Sequence, residues 1–217
     1  MSGKLRILIT GFGPFPGAPH NPTMPLVQRL TKLRRPAFDD VTLTGHIFHV
    51  TYDTVDRELP QLIARIHPQA LLMFGLANRT ARVRIETRAR NAVTTLFPDA
   101  DRQRARKGSI ADDADAQMFG PHTAKLLRAA HRTGIDARSS RDAGSYLCNY
   151  LSWRAIEATN KGDGLHLASF VHIPLLARDD TSRAKGFSRI TLDQLVDAGE
   201  AMLLEMVKLT RQAARCS

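Results

Sequence analysis

Apolar and polar positions alternate between two periods along this chain. Leu5-Arg6-Ile7-Leu8-Ile9-Thr10 is a short apolar run closed by Gly11, the pattern of a buried strand. Asn21-Pro22 opens a helix through Val27 and Leu30, and Val41 to Phe48 reads as a strand. A helix follows from Tyr52 to about Ile66, with a kink expected at Pro60. Ala70 to Gly75 is continuously apolar and short enough for a central strand. Arg82 to Arg90 alternates strictly; if it stays extended, Glu86 shares a face with Arg84 and Arg88. Residues 98–120 lack any period and predict a long surface loop that could serve as a lid. Beyond them come a helix from about Pro121 to His131, a short strand near Ile135 to Ala137 and a helix from Leu147 to Ile156. Leu167 to Pro174 is a further core strand. The last helix is signalled by a capping box, Thr191 with Gln194, and a stripe of Leu192, Leu195, Val196, Leu203 and Val207. Alternating strands and helices of this kind predict an α/β fold with a twisted, mostly parallel sheet and helices on both faces.

At 217 residues the chain fits one domain, 1–217, with no repeat or linker to divide it. No stretch approaches the roughly 20 apolar residues of a membrane span. Met1 to Arg6 passes straight into the first strand pattern, without the longer apolar region of a secretory signal. Cys148 and Cys216 are the two cysteines, too few for a disulfide framework, and the expectation is a reducing cytoplasm. The formal charge of +10 raises nucleic acid as a partner. Yet the arginines are scattered, and the one dense run, Arg102 to Lys107, has no interleaved aromatics. We read that run as a solvated loop and expect neither nucleic acid nor membrane as a partner.

Candidate chemistry centres on Ala143-Gly144-Ser145-Tyr146-Leu147-Cys148-Asn149, a glycine turn running into a helix with a cysteine in its first turn. Free N–H groups and the positive end of the helix dipole favour a thiolate there, the attacking form of cysteine. A small buried thiol that only packs is the plainer alternative. Glu86 and His172 supply the other two residue types of a Cys-His-carboxylate hydrolase, and His172 lies near a strand's carboxyl end, where sites in open α/β sheets gather. Gly11 to Gly17 begins like a dinucleotide loop, but Pro16 takes the third glycine's place and two prolines remove N–H donors. Its phenylalanines, Phe12 and Phe15, either plug the core or wall a flat apolar ligand. His46 and His49 have no metal-ligand spacing, and no metal is expected.

Four segments together resemble the pyroglutamyl peptidase (pyrrolidone-carboxylate peptidase) family of cysteine peptidases. They are Ile9 to Phe15 with Asn21-Pro22, Gly75 to Asn91, Ala143 to Asn149, and Phe170 to Pro174. The resemblance implies a three-layer α/β/α sandwich, no cofactor, a peptide or small amide substrate and a homo-oligomer, often a tetramer. It implies Cys148 as nucleophile, His172 as general base and acid, and Glu86 as the orienter of the histidine. Phe12 and Phe15 would sandwich the pyroglutamyl ring, Asn21 would support their loop, and Tyr146 would stand near the ring. The chain is a divergent member. Leu76 stands where the family has a pocket glutamine, Thr80 follows a lost glycine pair, and Leu96 replaces an arginine expected near the oxyanion. The divergence keeps two alternatives in view, a related amidase with another small acyl substrate and an inactive binding protein on the same scaffold.

Overall fold

The computed structural model describes residues 4–15, 18–112, 115–162, 164–176 and 189–216. Pro16 and Gly17 of the phenylalanine loop, and residues 113–114 of the 98–120 stretch, lie outside these. Eight strands and five helices are formed among the described residues: β1 (Leu5–Phe12), α1 (Thr23–Leu30), β2 (Val41–Phe48), α2 (Tyr52–Ile66), β3 (Ala70–Leu76), β4 (Val83–Glu86), β5 (Arg88–Arg90), β6 (Ala116–Met118), α3 (His122–His131), β7 (Ala137–Ser140), α4 (Leu147–Asn160), β8 (Leu167–Ile173) and α5 (Leu192–Cys216). Six strands make one sheet in the order β2-β1-β3-β8-β4-β7. The pairs β2-β1, β1-β3 and β3-β8 are parallel, and β4 runs antiparallel to β8.

The alternation of the strands sorts the core into two layers. Ile7, Ile9, Leu72, Phe74, Val171 and Ile173 face one way and pack with α1, α3 and α5. Leu8, Leu71, Met73 and Phe170 face the other way and pack with α2 and α4. Helices therefore cover both faces, as an α/β/α sandwich requires. β1 is flanked by β2 on one side and β3 on the other, so the chain reverses its direction of travel across the sheet there. Such a reversal opens a crevice at the carboxyl ends of the strands. Phe12, Leu76 and Ile173 end β1, β3 and β8 at that edge.

Several elements depart from expectation. α2 runs unbroken through Pro60. The Arg82–Arg90 stretch is not one strand: the backbone and hydroxyl of Thr87 donate to Ser140 O, and Thr87 O accepts from Phe119 N. This transfers the chain to a separate two-stranded sheet, β5 with β6, where Arg88 pairs with Met118 and donates to Arg141 O. Arg88 is therefore not beside Glu86. The strand expected at Ile135–Ala137 lies later, at Ala137–Ser140, because its ladder with β4 begins at Val83↔Ala137. The 98–120 stretch is not wholly on the surface: Asp99 and Phe119 are buried, and Ala100, Ala105, Ile110 and Ala111 pack on the second core cluster. The capping box forms as read, with Thr191 and Gln194 each donating a backbone N–H to the other's side chain.

Candidate active site

Cys148 occupies the first turn of α4, and Gly144 at φ +82° makes the turn that brings the chain into it. No side chain of Tyr146, the residue before the helix, caps its first amides. The helix start is braced from outside. Arg90 donates to Gly144 O at 3.0 Å and pairs with Asp142, which itself accepts from Gly144 N. Thr94 N donates to Ser145 O at 2.6 Å, and the Tyr146 hydroxyl donates to Pro98 O at 2.8 Å. Asn149, wholly buried, donates to Arg90 O and Ala92 O and accepts from Arg90 N.

The sulfur of Cys148 lies against Gly75, where a Cβ would stand only 2.7 Å from it. Gly75 is the register partner of His172 in the β3-β8 ladder, and Arg84 faces His172 from β4. His172 is 3% exposed and Glu86 0%. Nδ1 of His172 lies 2.7 Å from Glu86 Oε1 and 3.2 Å from an Arg84 nitrogen. Nδ1 cannot both donate to the carboxylate and accept from the guanidinium. The shorter contact decides, so Nδ1–H donates to Glu86 and Nε2 is left without a proton. Arg84 Nε stands 3.5 Å from Glu86 Oε1 and offsets its charge. Geometry thus brings Glu86, His172, Arg84 and Cys148 together at the carboxyl ends of β3 and β8.

The charge state differs from the helix-dipole expectation. Burial and the negative Glu86 push the Cys148 thiol up to about 12, against smaller pulls from Arg84 and its own amide. Burial likewise lowers the His172 imidazole below its ordinary range, opposed by its bond to Glu86. Both directions favour a neutral thiol beside a neutral imidazole. Cys148 as a residue is intermediate in exposure.

Phe12 is 3% exposed, with its ring 6.1 Å from that of Phe48, and belongs to the core. Phe15 is half-buried and exchanges backbone bonds with Ala18. Asn21 donates to Gly13 O at 3.1 Å and accepts from Thr23 N, fixing the loop between the two phenylalanines. The Tyr146 ring meets the Tyr52 ring edge-on. Arg79 is exposed, and Arg90 is engaged with Gly144 and Asp142. Gly75, Asn149 and Tyr52, which surround this centre, were not singled out from sequence alone. The one signal available was Asn149, a polar residue on the helix face that the apolar pattern buries. A separate cleft of about 600 Å³ opens between α2 and α4, where Arg154 is already paired with Asp56 and Glu157, and none of Cys148, His172 and Glu86 lines it. Among the described residues no cluster of His, Cys, Asp and Glu is built to hold a metal ion, and no helix is long and apolar enough to cross a membrane.

A profile of the pyroglutamyl peptidase family matches residues 5–208. The chain belongs to the pyroglutamyl peptidase family. A pyrrolidone-carboxylate peptidase of Pseudomonas fluorescens is 31% identical over 179 residues, 81% of each chain. That of Pyrococcus furiosus is 27% identical over 173 residues, 79% of this chain and 82% of its own. Among solved structures, the pyrrolidone carboxyl peptidase of Thermococcus litoralis superposes with a TM-score of 0.83 at 24% identity, covering 96% of both chains. The Pyrococcus furiosus enzyme gives 0.84 at 24% identity, over 94% of this chain and 100% of that one. Those likenesses establish the α/β/α fold of this pyroglutamyl peptidase family member.

Proposed function

We propose that this chain is a cysteine peptidase that removes an N-terminal pyroglutamyl group from peptides, with Cys148, His172 and Glu86 carrying the reaction. The observation that supports it is the buried Glu86–His172 pair at 2.7 Å, with His172 directly across the ladder from the glycine that makes room for the Cys148 sulfur.

The chemistry starts from the neutral pair. Nε2 of His172 takes the thiol proton as the sulfur attacks the carbonyl carbon of the pyroglutamyl amide. A C–S bond forms and the carbonyl oxygen becomes an oxyanion. The uncapped amides at the start of α4 receive it, each donor contributing roughly 3 kcal/mol to the transition state. Glu86, holding Nδ1–H, stabilises the imidazolium that has formed. As the C–N bond breaks, Nε2 returns its proton to the leaving amine, and a thioester remains. Water then attacks the thioester, His172 takes the water's proton, the C–S bond breaks and the thiol is reprotonated. Pyroglutamate and the shortened peptide are the products.

The test is hydrolysis of a pyroglutamyl amide by the wild type beside Cys148→Ala. Turnover is expected to fall by about 10³-fold or more in the variant with its circular dichroism unchanged. A variant near wild-type activity would reject the assignment, and an inactive wild type would reject the function. A free thiol nucleophile also calls for a reducing compartment, and we place the enzyme in the cytoplasm. The family resemblance further implies assembly from several copies, which light scattering of the purified chain would measure.

A further inference from the structure

The chain has three tyrosines, and their rings pack together at the start of α4, the helix that carries Cys148. Tyr52, the first residue of α2, meets the ring of Tyr150 at 5.0 Å and that of Tyr146 at 6.0 Å, edge-on in both cases. Two of the three hydroxyls are spoken for. Tyr150 donates to Asp56 at 2.7 Å and accepts from Arg154 at 2.8 Å, and Tyr146 donates to Pro98 O. The Tyr52 hydroxyl is buried and has no hydrogen-bond partner among the described residues. Burying a hydroxyl with nothing to bond is unfavourable, so such a group points to a partner that arrives from outside the chain.

Position narrows what that partner is. Tyr146 is two residues from Cys148, and the Tyr52 phenol is close enough to feel the charges of Cys148 and Asp99. Tyr52, Tyr146, Phe15 and Cys148 are all partly buried members at the rim of one apolar cluster. Aromatic walls suit the flat carbon face of a five-membered ring but leave its N–H and C=O unpaired. The side chain of Leu76, at the end of β3 beyond Gly75, offers no hydrogen bond. We propose that the Tyr52 hydroxyl donates to the lactam carbonyl of the pyroglutamyl ring and so sets the preference for a lactam over a plain carbocycle. Burial holds the phenol above its ordinary range, which keeps it a donor at any working pH.

This inference rests on the pyroglutamyl reading of the site, and one experiment separates the two. Tyr52→Phe is compared with wild type for pyroglutamyl-amide hydrolysis and for competitive inhibition by cyclopentanecarboxamide, a ring of the same size with no lactam. Loss of the hydroxyl is expected to lower kcat/KM by about 10- to 100-fold, through KM, with kcat held within about threefold. The inhibition constant of the carbocycle is expected to stay within about twofold, since it has no carbonyl in the ring to bond. Melting should not fall, because the hydroxyl has no partner in the free protein. An unchanged KM, a loss carried by kcat, or equal weakening of the carbocycle would each overturn the proposal. A wild type inactive on the pyroglutamyl amide would instead bring down the function, and this inference with it.

Discussion

Gly75 has no Cβ, and the Cys148 sulfur takes the space that one would fill. Gly75→Ala would set the new carbon 2.7 Å from that sulfur and 2.6 Å from Cζ of Phe170, whose ring is wholly buried. Neither neighbour can step aside freely, so the start of α4 must move away from His172. We expect kcat for pyroglutamyl-amide hydrolysis to fall by about 10²-fold, the usual result of displacing a reacting group by about 1 Å. Stability should drop by roughly 1–3 kcal/mol from overpacking. Steady-state kinetics and urea denaturation on the same preparation would check both, and full activity would show that the sulfur does not work from this position. The residue types of the proposed triad were legible in the sequence, because a thiol at a helix start and a histidine at a strand end are local signals. Gly75 was not. It looks like any small residue in an apolar run, and its meaning comes only from a sulfur 73 positions later in the chain.

At the scale of elements, α4 is aimed less by its own propensity than by what grips its first turn. Asn149 makes three hydrogen bonds to the backbone of Arg90 and Ala92, in a place where no water competes. Asn149→Ala leaves Arg90 N and Ala92 O in need of partners, while Arg90 O keeps its bond from Ala92 N. We expect a destabilisation of about 3 kcal/mol by urea denaturation. Hydrogen exchange should become faster at residues 90–92 than elsewhere in the sheet, and a loss below about 0.5 kcal/mol would mean that the clamp is dispensable. The same strand segment shows where the period of the sequence misleads. Strict alternation from Arg82 to Arg90 holds within Val83–Glu86, where it puts Arg84 beside Glu86 as expected. Alternation says nothing about which sheet a strand joins, and the Thr87–Ser140 and Thr87–Phe119 bonds that divide β4 from β5 are between segments distant in sequence. The shift of β7 has the same origin, a ladder whose register is fixed by β4. Core strands and the capped last helix were legible for the opposite reason, since each carries its own burial pattern along its length.

Across the whole molecule, the two apolar layers enclose two histidines that the fold holds uncharged. His122 bonds Ala168 O through Nε2 and His172 bonds Glu86, yet burial lowers both below the ordinary value. In the unfolded chain each returns to about 6.5. Below that pH the unfolded state binds protons that the folded state refuses, so stability is complete above about pH 6.5 and is lost as the pH falls. The slope cannot exceed about 1.4 kcal/mol per pH unit for each histidine. Activity should respond in the same direction and later, because His172 accepts the thiol proton only while neutral, and its lowered pKa carries the acid limb of kcat/KM below the ordinary histidine value. The two histidines can be told apart, since His122 sits at the start of α3, away from Cys148. His122→Gln is therefore expected to remove about half of the stability slope between pH 6.5 and 5.5 in urea denaturation, with the acid limb of kcat/KM unmoved. A wild type whose stability is flat over that interval, or a variant whose acid limb shifts with its stability, would show that the burial of these imidazoles does not govern the acid sensitivity of the fold.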